Sequence, residues 1–177
     1  NEMLVSVNIP DSVTNINSYA FNHCSALENI YFGKNVKNIG DSAFCACSKL
    51  KELTLPGSIK NIGSYAFSNC DGLENIVLPD SLELIGPYAF NSCKKLTEII
   101  IPNGCTSIYN CAFSNCTNLK NAVLPETLIS IGDSAFYGCK EMEKIELPEN
   151  LENLGRSAFS GCSKLTEGKV GGDDAHH

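Results

Sequence analysis

A phenylalanine preceded by alanine returns every 23 residues along this chain, at Phe21, Phe44, Phe67, Phe90, Phe113, Phe136 and Phe159. Three residues after each stands a cysteine: Cys24, Cys47, Cys70, Cys93, Cys116, Cys139 and Cys162. Three further on come Leu27, Leu50, Leu73, Leu96, Leu119, Met142 and Leu165. Seven copies without an insertion exclude an ordinary two-layer globule, whose elements differ in length and in neighbours. They point to a solenoid in which each repeat is one coil lying on the next. A single coil would leave both apolar flanks in water, so the fold exists only as a stack.

One repeat runs through Leu73, Ile76, Leu78, Pro79, Leu82, Ile85, Gly86, Ala89, Phe90 and Cys93. Ile76 and Leu78 are two apart, the spacing of a strand with one buried face. Pro79 ends that strand because it has no N–H for a ladder. Leu82, Ile85 and Gly86 read as a second short extended stretch and a turn. In Tyr88–Cys93 the apolar residues are three apart, which predicts a single turn of helix, 3₁₀ or α. Ser18, Asp41, Ser64, Asn110 and Asp133, two residues before each Ala-Phe, would cap it, with Pro87 and Arg156 at the remaining copies. Stacking then places the longer strands in a parallel sheet on one face.

The motif Leu-Pro-x-x-Leu-x-x-Ile-Gly-x-x-Ala-Phe-x-x-Cys resembles the BspA-like leucine-rich repeats, the 23-residue class also known from Treponema. The resemblance extends over residues 4–165. It implies a right-handed leucine-rich-repeat coil with a parallel β-sheet on one face, short second strands and single-turn helices elsewhere. It also implies a surface or secreted protein of the adhesion type, with a host matrix, host cell or other microbial surface protein as partner.

Some positions depart from the pattern. Gly33 stands in place of the proline, Asn17 and Tyr109 replace the turn glycine, Cys105 takes a core position held elsewhere by Val36, Ile59 or Leu82, and Ala122 replaces a strand isoleucine. The array is read as residues 1–166, an excised segment of a longer one, and 167–177 as an irregular tail in which His176 and His177 read as a purification-tag remnant.

Twenty acidic against 13 basic side chains give a net charge of −7. That excludes phosphate neutralisation, hence a nucleic-acid partner, and favours a basic one. No apolar run is long enough to cross a bilayer. The seven ladder cysteines should point inward beside the phenylalanines as buried thiols whose S–H reaches a carbonyl. Cys45-Ala46-Cys47 has no second pair to complete a zinc site. His23 and Cys24 are adjacent in sequence and should not face one another. No catalytic residue, metal or cofactor is expected.

The outward side of the longer strands carries the most information about function. One column reads Tyr31, Thr54, Val77, Ile100 and Val123, uncharged and largely β-branched; beside it run Asn29, Glu52, Asn75, Glu98 and Asn121. Such a strip fits a protein-contact face. It also fits a plain cross-strand ladder chosen for β-propensity. The two readings lead respectively to a non-enzymatic binding or adhesion module, monomeric in solution, and to a structural spacer without a specific ligand.

Overall fold

The computed structural model describes residues 3–170 and 173–174, with side chains over 3–166. The chain winds as a parallel β-solenoid of 23-residue coils. Each coil contributes a longer strand and a two-residue strand. The longer ones are Ser6–Asn8, Asn29–Tyr31, Glu52–Thr54, Asn75–Val77, Glu98–Ile100, Asn121–Val123 and Lys144–Leu147. The short ones are Asn15–Ile16, Asn38–Ile39, Asn61–Ile62, Leu84–Ile85, Ser107–Ile108, Ser130–Ile131 and Asn153–Leu154. Register follows the sequence interval, with Val7 opposite Ile30, Leu53 opposite Ile76 and Ile39 opposite Ile62.

The longer strands do not form one continuous sheet. Their ladders close in pairs, the first with the second coil, the third with the fourth and the fifth with the sixth. The short strands run unbroken through four coils and then through three, with a gap between Leu84–Ile85 and Ser107–Ile108. Residues Glu167–Val170, within the expected irregular tail, instead form a strand parallel to Lys144–Leu147, and Asp173–Asp174 pairs antiparallel to it. The backbone ladder continues here, with Gly168 opposite Ile145. His176 and His177 lie outside the described residues.

The expected single-turn helices are absent among the described residues, and a run of tight turns takes their place. In the fourth coil the N–H groups of Ala89, Asn91 and Cys93 donate to the carbonyls of Gly86, Tyr88 and Phe90, each three residues back. Between them, Tyr88, Phe90 and Ser92 donate instead to Asn110, Ala112 and Ser114 of the next coil, at 3.0, 2.9 and 2.8 Å. A helix would turn every N–H along its own axis and leave none for the neighbour. The alternation requires two left-handed residues per coil, here Tyr88 and Ser92, both at φ 61°. Each costs an L-residue about 1–2 kcal/mol, offset by the third column of inter-coil bonds it permits.

Three of the five expected caps act between coils too. The side-chain oxygens of Asp41, Asn110 and Asp133 accept the backbone N–H of Ser64, Asp133 and Arg156, each 23 residues on, at 2.8–2.9 Å.

Inside the coil, Ala, Phe, Cys and Leu columns pack into one continuous core. The phenylalanine rings stack from Phe21 to Phe159 with centroids 5.2–5.5 Å apart and planes within 9° of parallel. Gly33, where proline was expected, lies against the first coil: a Cβ there would sit 2.5 Å from the Pro10 carbonyl oxygen.

Candidate protein-contact face

Because successive side chains of a strand point to opposite sides, Leu53, Ile76, Ile99 and Ile145 enter the core and their neighbours face solvent. Tyr31, Val77, Ile100 and Val123 are each at least half exposed, at 58, 57, 56 and 50%. Thr54 is exposed with them. Thr54 lies opposite Val77, and Ile100 opposite Val123, as direct ladder partners. The adjoining Asn29, Glu52, Asn75, Glu98 and Asn121 are exposed as well, with Glu52 opposite Asn75 and Glu98 opposite Asn121. The fold thus brings the ten residues together as two parallel columns on one face.

At the sixth and seventh coils this face is indented. Asn121–Val123 and Lys144–Leu147 lie side by side without a ladder, and a crevice of about 380 Å³ opens between them.

The cysteine column lies on the other side of the core. All ten cysteines are reduced thiols. The thiols of Cys47, Cys70, Cys93, Cys116, Cys139 and Cys162 donate to the carbonyls of Phe21, Phe44, Phe67, Phe90, Phe113 and Phe136, one coil back, at 3.1–3.3 Å. Each of those Phe carbonyls also accepts the N–H of the cysteine in its own coil. The thiol thereby occupies a second lone pair that a hydrocarbon would leave unsatisfied. Burial pushes the Cys47 and Cys116 thiols up to about 12 and Cys105 to about 11, and holds Cys70 and Cys93 well above the ordinary thiol range. These sulfurs are held protonated, the opposite of what a nucleophile or metal ligand needs.

Cys45 and Cys47 diverge. Cys47 enters the core, while Cys45 is half-buried beside Ser68, and burial raises its pKa. His23 is exposed at φ 58° while Cys24 is buried, so the two turn away from each other. Among the described residues no group of three or more His, Cys, Asp or Glu side chains is placed to hold a metal ion.

Polar ladders at the same interval escaped the sequence reading. The Asn38 side-chain amide donates to Asn15 Oδ1 and that of Asn61 to Asn38 Oδ1, both at 2.6 Å. Ser58 and Ser81 hydroxyls donate to the Val36 and Ile59 carbonyls at 2.6 Å. Outside the core, the rings of Tyr65 and Tyr88 stack at 4.6 Å. The neighbouring Cys111 thiol is the first cause of the raised pKa of Tyr88.

The sequence matches the family described as BspA type leucine rich repeat region, in six copies, over residues 1–120 and 83–172. A leucine rich repeat protein of T. pallidum is similar in structure, with a TM-score of 0.77 and 34% identity over 80% of this chain and 66% of that one. A leucine-rich repeat protein from Bacteroides ovatus gives a TM-score of 0.67 and 30% identity over 94% of this chain and 55% of that one. The chain therefore spans less than two thirds of the length of either. No curated protein matches the sequence.

Proposed function

Since this chain belongs to the BspA-type leucine-rich repeat family, we propose that it is a non-enzymatic protein-binding module. It adheres through the outer face of its longer strands and forms part of a surface or secreted protein. The observation that carries this reading is the uncharged column from Tyr31 to Val123, whose Val77, Ile100 and Val123 keep 50–57% of their surface in water. Apolar side chains gain roughly 25 cal/mol for each Å² taken out of water. A contiguous strip of them, flanked by amides and carboxylates, has the make-up of an interface centre with a polar rim. The thiols of Cys47, Cys70, Cys93, Cys105 and Cys116, kept protonated by burial, contribute packing and not chemistry. The partner class is a protein of a host matrix, a host cell or another microbe, and the module itself is monomeric.

The direct pairing of Thr54 with Val77 and of Ile100 with Val123 favours a second reading, a structural spacer whose strip serves only cross-strand packing. Surface plasmon resonance against a panel of purified matrix and cell-surface proteins separates the two. Val77→Lys with Ile100→Lys should abolish any interaction found, with unchanged circular dichroism. Binding that survives the double change removes the face from the account, and a panel without a single binder supports the spacer.

A further inference from the structure

The indentation between the sixth and seventh coils differs from the rest of the strand face in its apolar wall; a hollow of about 310 Å³ between the second and third coils is lined only by Glu28, Asn29, Lys49, Lys51, Glu52 and Glu74. Two other junctions also lack the longer ladder, Asn29–Tyr31 against Glu52–Thr54 and Asn75–Val77 against Glu98–Ile100. There the inward position is filled on both strands, by Ile30 and Leu53 and by Ile76 and Ile99. At the third such junction Ala122 faces Ile145, and the shorter side chain leaves the space open. Ala122 is half-buried, and Ile145 opposite it is 3% exposed.

The walls of this crevice are of two kinds. Val123 and Leu124 give it an apolar side, and the exposed carboxylates of Glu126, Glu146 and Glu149 stand along its rim. Glu98 and Lys144 also border it, which leaves the lining with four carboxylates against one ammonium. A rim of that sign repels phosphate or carboxylate. It attracts a cation, and the apolar wall discriminates among cations: a bare metal ion gains nothing from Val123 and Leu124. A side chain with a hydrocarbon stem and a cationic head gains from both.

We propose that this crevice receives an arginine side chain of an extended segment of the protein partner, its stem on Val123 and Leu124 and its guanidinium among Glu126, Glu146 and Glu149. The proposal rests on the reading of this face as protein-binding and specifies the partner's chemistry at one point of it. The planar, multiply donating head matches carboxylates better than an ammonium does. Complementarity to a chain of net charge −7 acts in the same direction.

The test uses the whole chain and a defined probe, acetyl-Leu-Arg-Leu-amide, followed by amide chemical shifts in an NMR titration. The expected result is a set of shifts centred on residues 122–124 and 145–147. The citrulline analogue, equal in size but uncharged, should bind at least fivefold more weakly. Ala122→Ile restores the side chain that other coils carry, so it preserves the fold while filling the crevice; it should abolish these shifts. Glu126→Gln, Glu146→Gln and Glu149→Gln together should weaken binding at least tenfold. Shifts spread over acidic sites elsewhere, equal binding of citrulline, or indifference to Ala122→Ile would each overturn the proposal. A partner lost on Val77→Lys with Ile100→Lys alongside a peptide indifferent to Ala122→Ile sinks the crevice and leaves the face standing. The reverse pattern sinks the face and leaves the crevice.

Discussion

The rings of Phe90 and Phe113 lie 5.4 Å apart and 2° from parallel, yet the coils that carry them share no strand ladder. At each of the other junctions within the seven coils, at least one of the two strand columns is hydrogen-bonded. Here Asn75–Val77 meets Glu98–Ile100, and Leu84–Ile85 meets Ser107–Ile108, without either. The cause of the second gap is Tyr109. In the coils with Gly40, Gly63, Gly86, Gly132 and Gly155, that residue's N–H donates to the isoleucine carbonyl of the coil before, at 2.7–2.8 Å. Those approaches need a missing Cβ: one added at Gly86 would lie 2.7 Å from the Ser64 nitrogen. Tyr109 carries a Cβ and must stand off. The fourth and fifth coils are then joined by the turn column, the phenylalanine stack and two thiols, Cys116 on the Phe90 carbonyl and Cys105 on the Leu82 carbonyl.

An array of nearest-neighbour terms opens first at its weakest junction. Hydrogen exchange should therefore show the amides of Ser107 and Tyr109 far less protected than those of Ser130 and Gly132. Tyr109→Gly should let position 109 bond to the Ile85 carbonyl, slow its exchange about tenfold, equivalent to about 1.4 kcal/mol, and bring the two halves of the array into one unfolding step. Equal protection at 109 and 132 in the unaltered chain would remove the seam.

The converse substitution builds such a seam where none exists. An alanine at Gly86 would press its Cβ against Ser64 nitrogen and the Gly63 carbonyl carbon, at 2.7 and 2.8 Å, and backbone cannot swing aside as a side-chain end can. Overpacking of this kind costs about 1–3 kcal/mol. Gly57→Ala is the internal comparison, since nothing lies within 4 Å of its added Cβ. It should stay within about 0.5 kcal/mol of the parent. Urea denaturation of the two variants reads the difference, and equal midpoints would deny that glycine is needed for coil spacing.

The thiols give a reactivity pattern and a pH dependence. Cys45 and Cys111 are half-exposed and the other eight cysteines are buried. A thiol-disulfide reagent on the native protein should thus consume two thiols at once and the rest only at the rate of opening. A buried thiol with a raised pKa stays protonated in the fold, while in the unfolded chain it loses its proton above about pH 8.5. The unfolded state then binds fewer protons, so stability is full below that pH and falls as pH climbs toward the folded value, about 12 for Cys116. The slope approaches about 1.4 kcal/mol per pH unit for each such thiol. Between pH 8 and 10.5, Cys116→Ala should lose stability less steeply than the parent. Parallel slopes would mean that this thiol does not govern the alkaline limb.

The columns of Phe and Cys were legible in the sequence because a fixed interval turns repetition along the chain into proximity in space. The same interval could not distinguish a helical turn from the observed run of tight turns, since Phe90 and Cys93 are three apart in both. What separates them is the sign of φ at Tyr88 and Ser92. At the positions equivalent to Tyr88, the residues Tyr19, Ser42 and Cys111 announce no left-handed backbone. The column of Ser92 does carry a signal, in Asn69, Asn115, Gly138 and Gly161, but Ala46 and Ser92 interrupt it. The outward columns of the strand face followed from period two. The crevice did not: Ala122 was visible as a departure, while the missing ladder beside it depends on the spacing of whole coils.

The asparagine ladder offers a test in which a coil is improved. Asn38 both donates to Asn15 and accepts from Asn61, at 2.6 Å each, and the run stops at Leu84, which is 36% exposed. Asn38→Ala removes two amide bonds from a half-buried site. Because a net hydrogen bond is worth roughly 0.5–1.5 kcal/mol, the loss should come to about 1–2 kcal/mol. Leu84→Asn places a fourth amide in register with Asn61, opposite which Leu84 already lies in the ladder. The new bond, set against loss of the partly exposed leucine surface, should leave stability unchanged or raise it by about 0.5 kcal/mol. In the Asn38→Ala background that gain should fall, because Asn61 and the introduced amide then form an isolated pair without the polarisation of a longer chain. A double-mutant cycle measures this coupling directly, and strict additivity would show that the amides act as independent pairs.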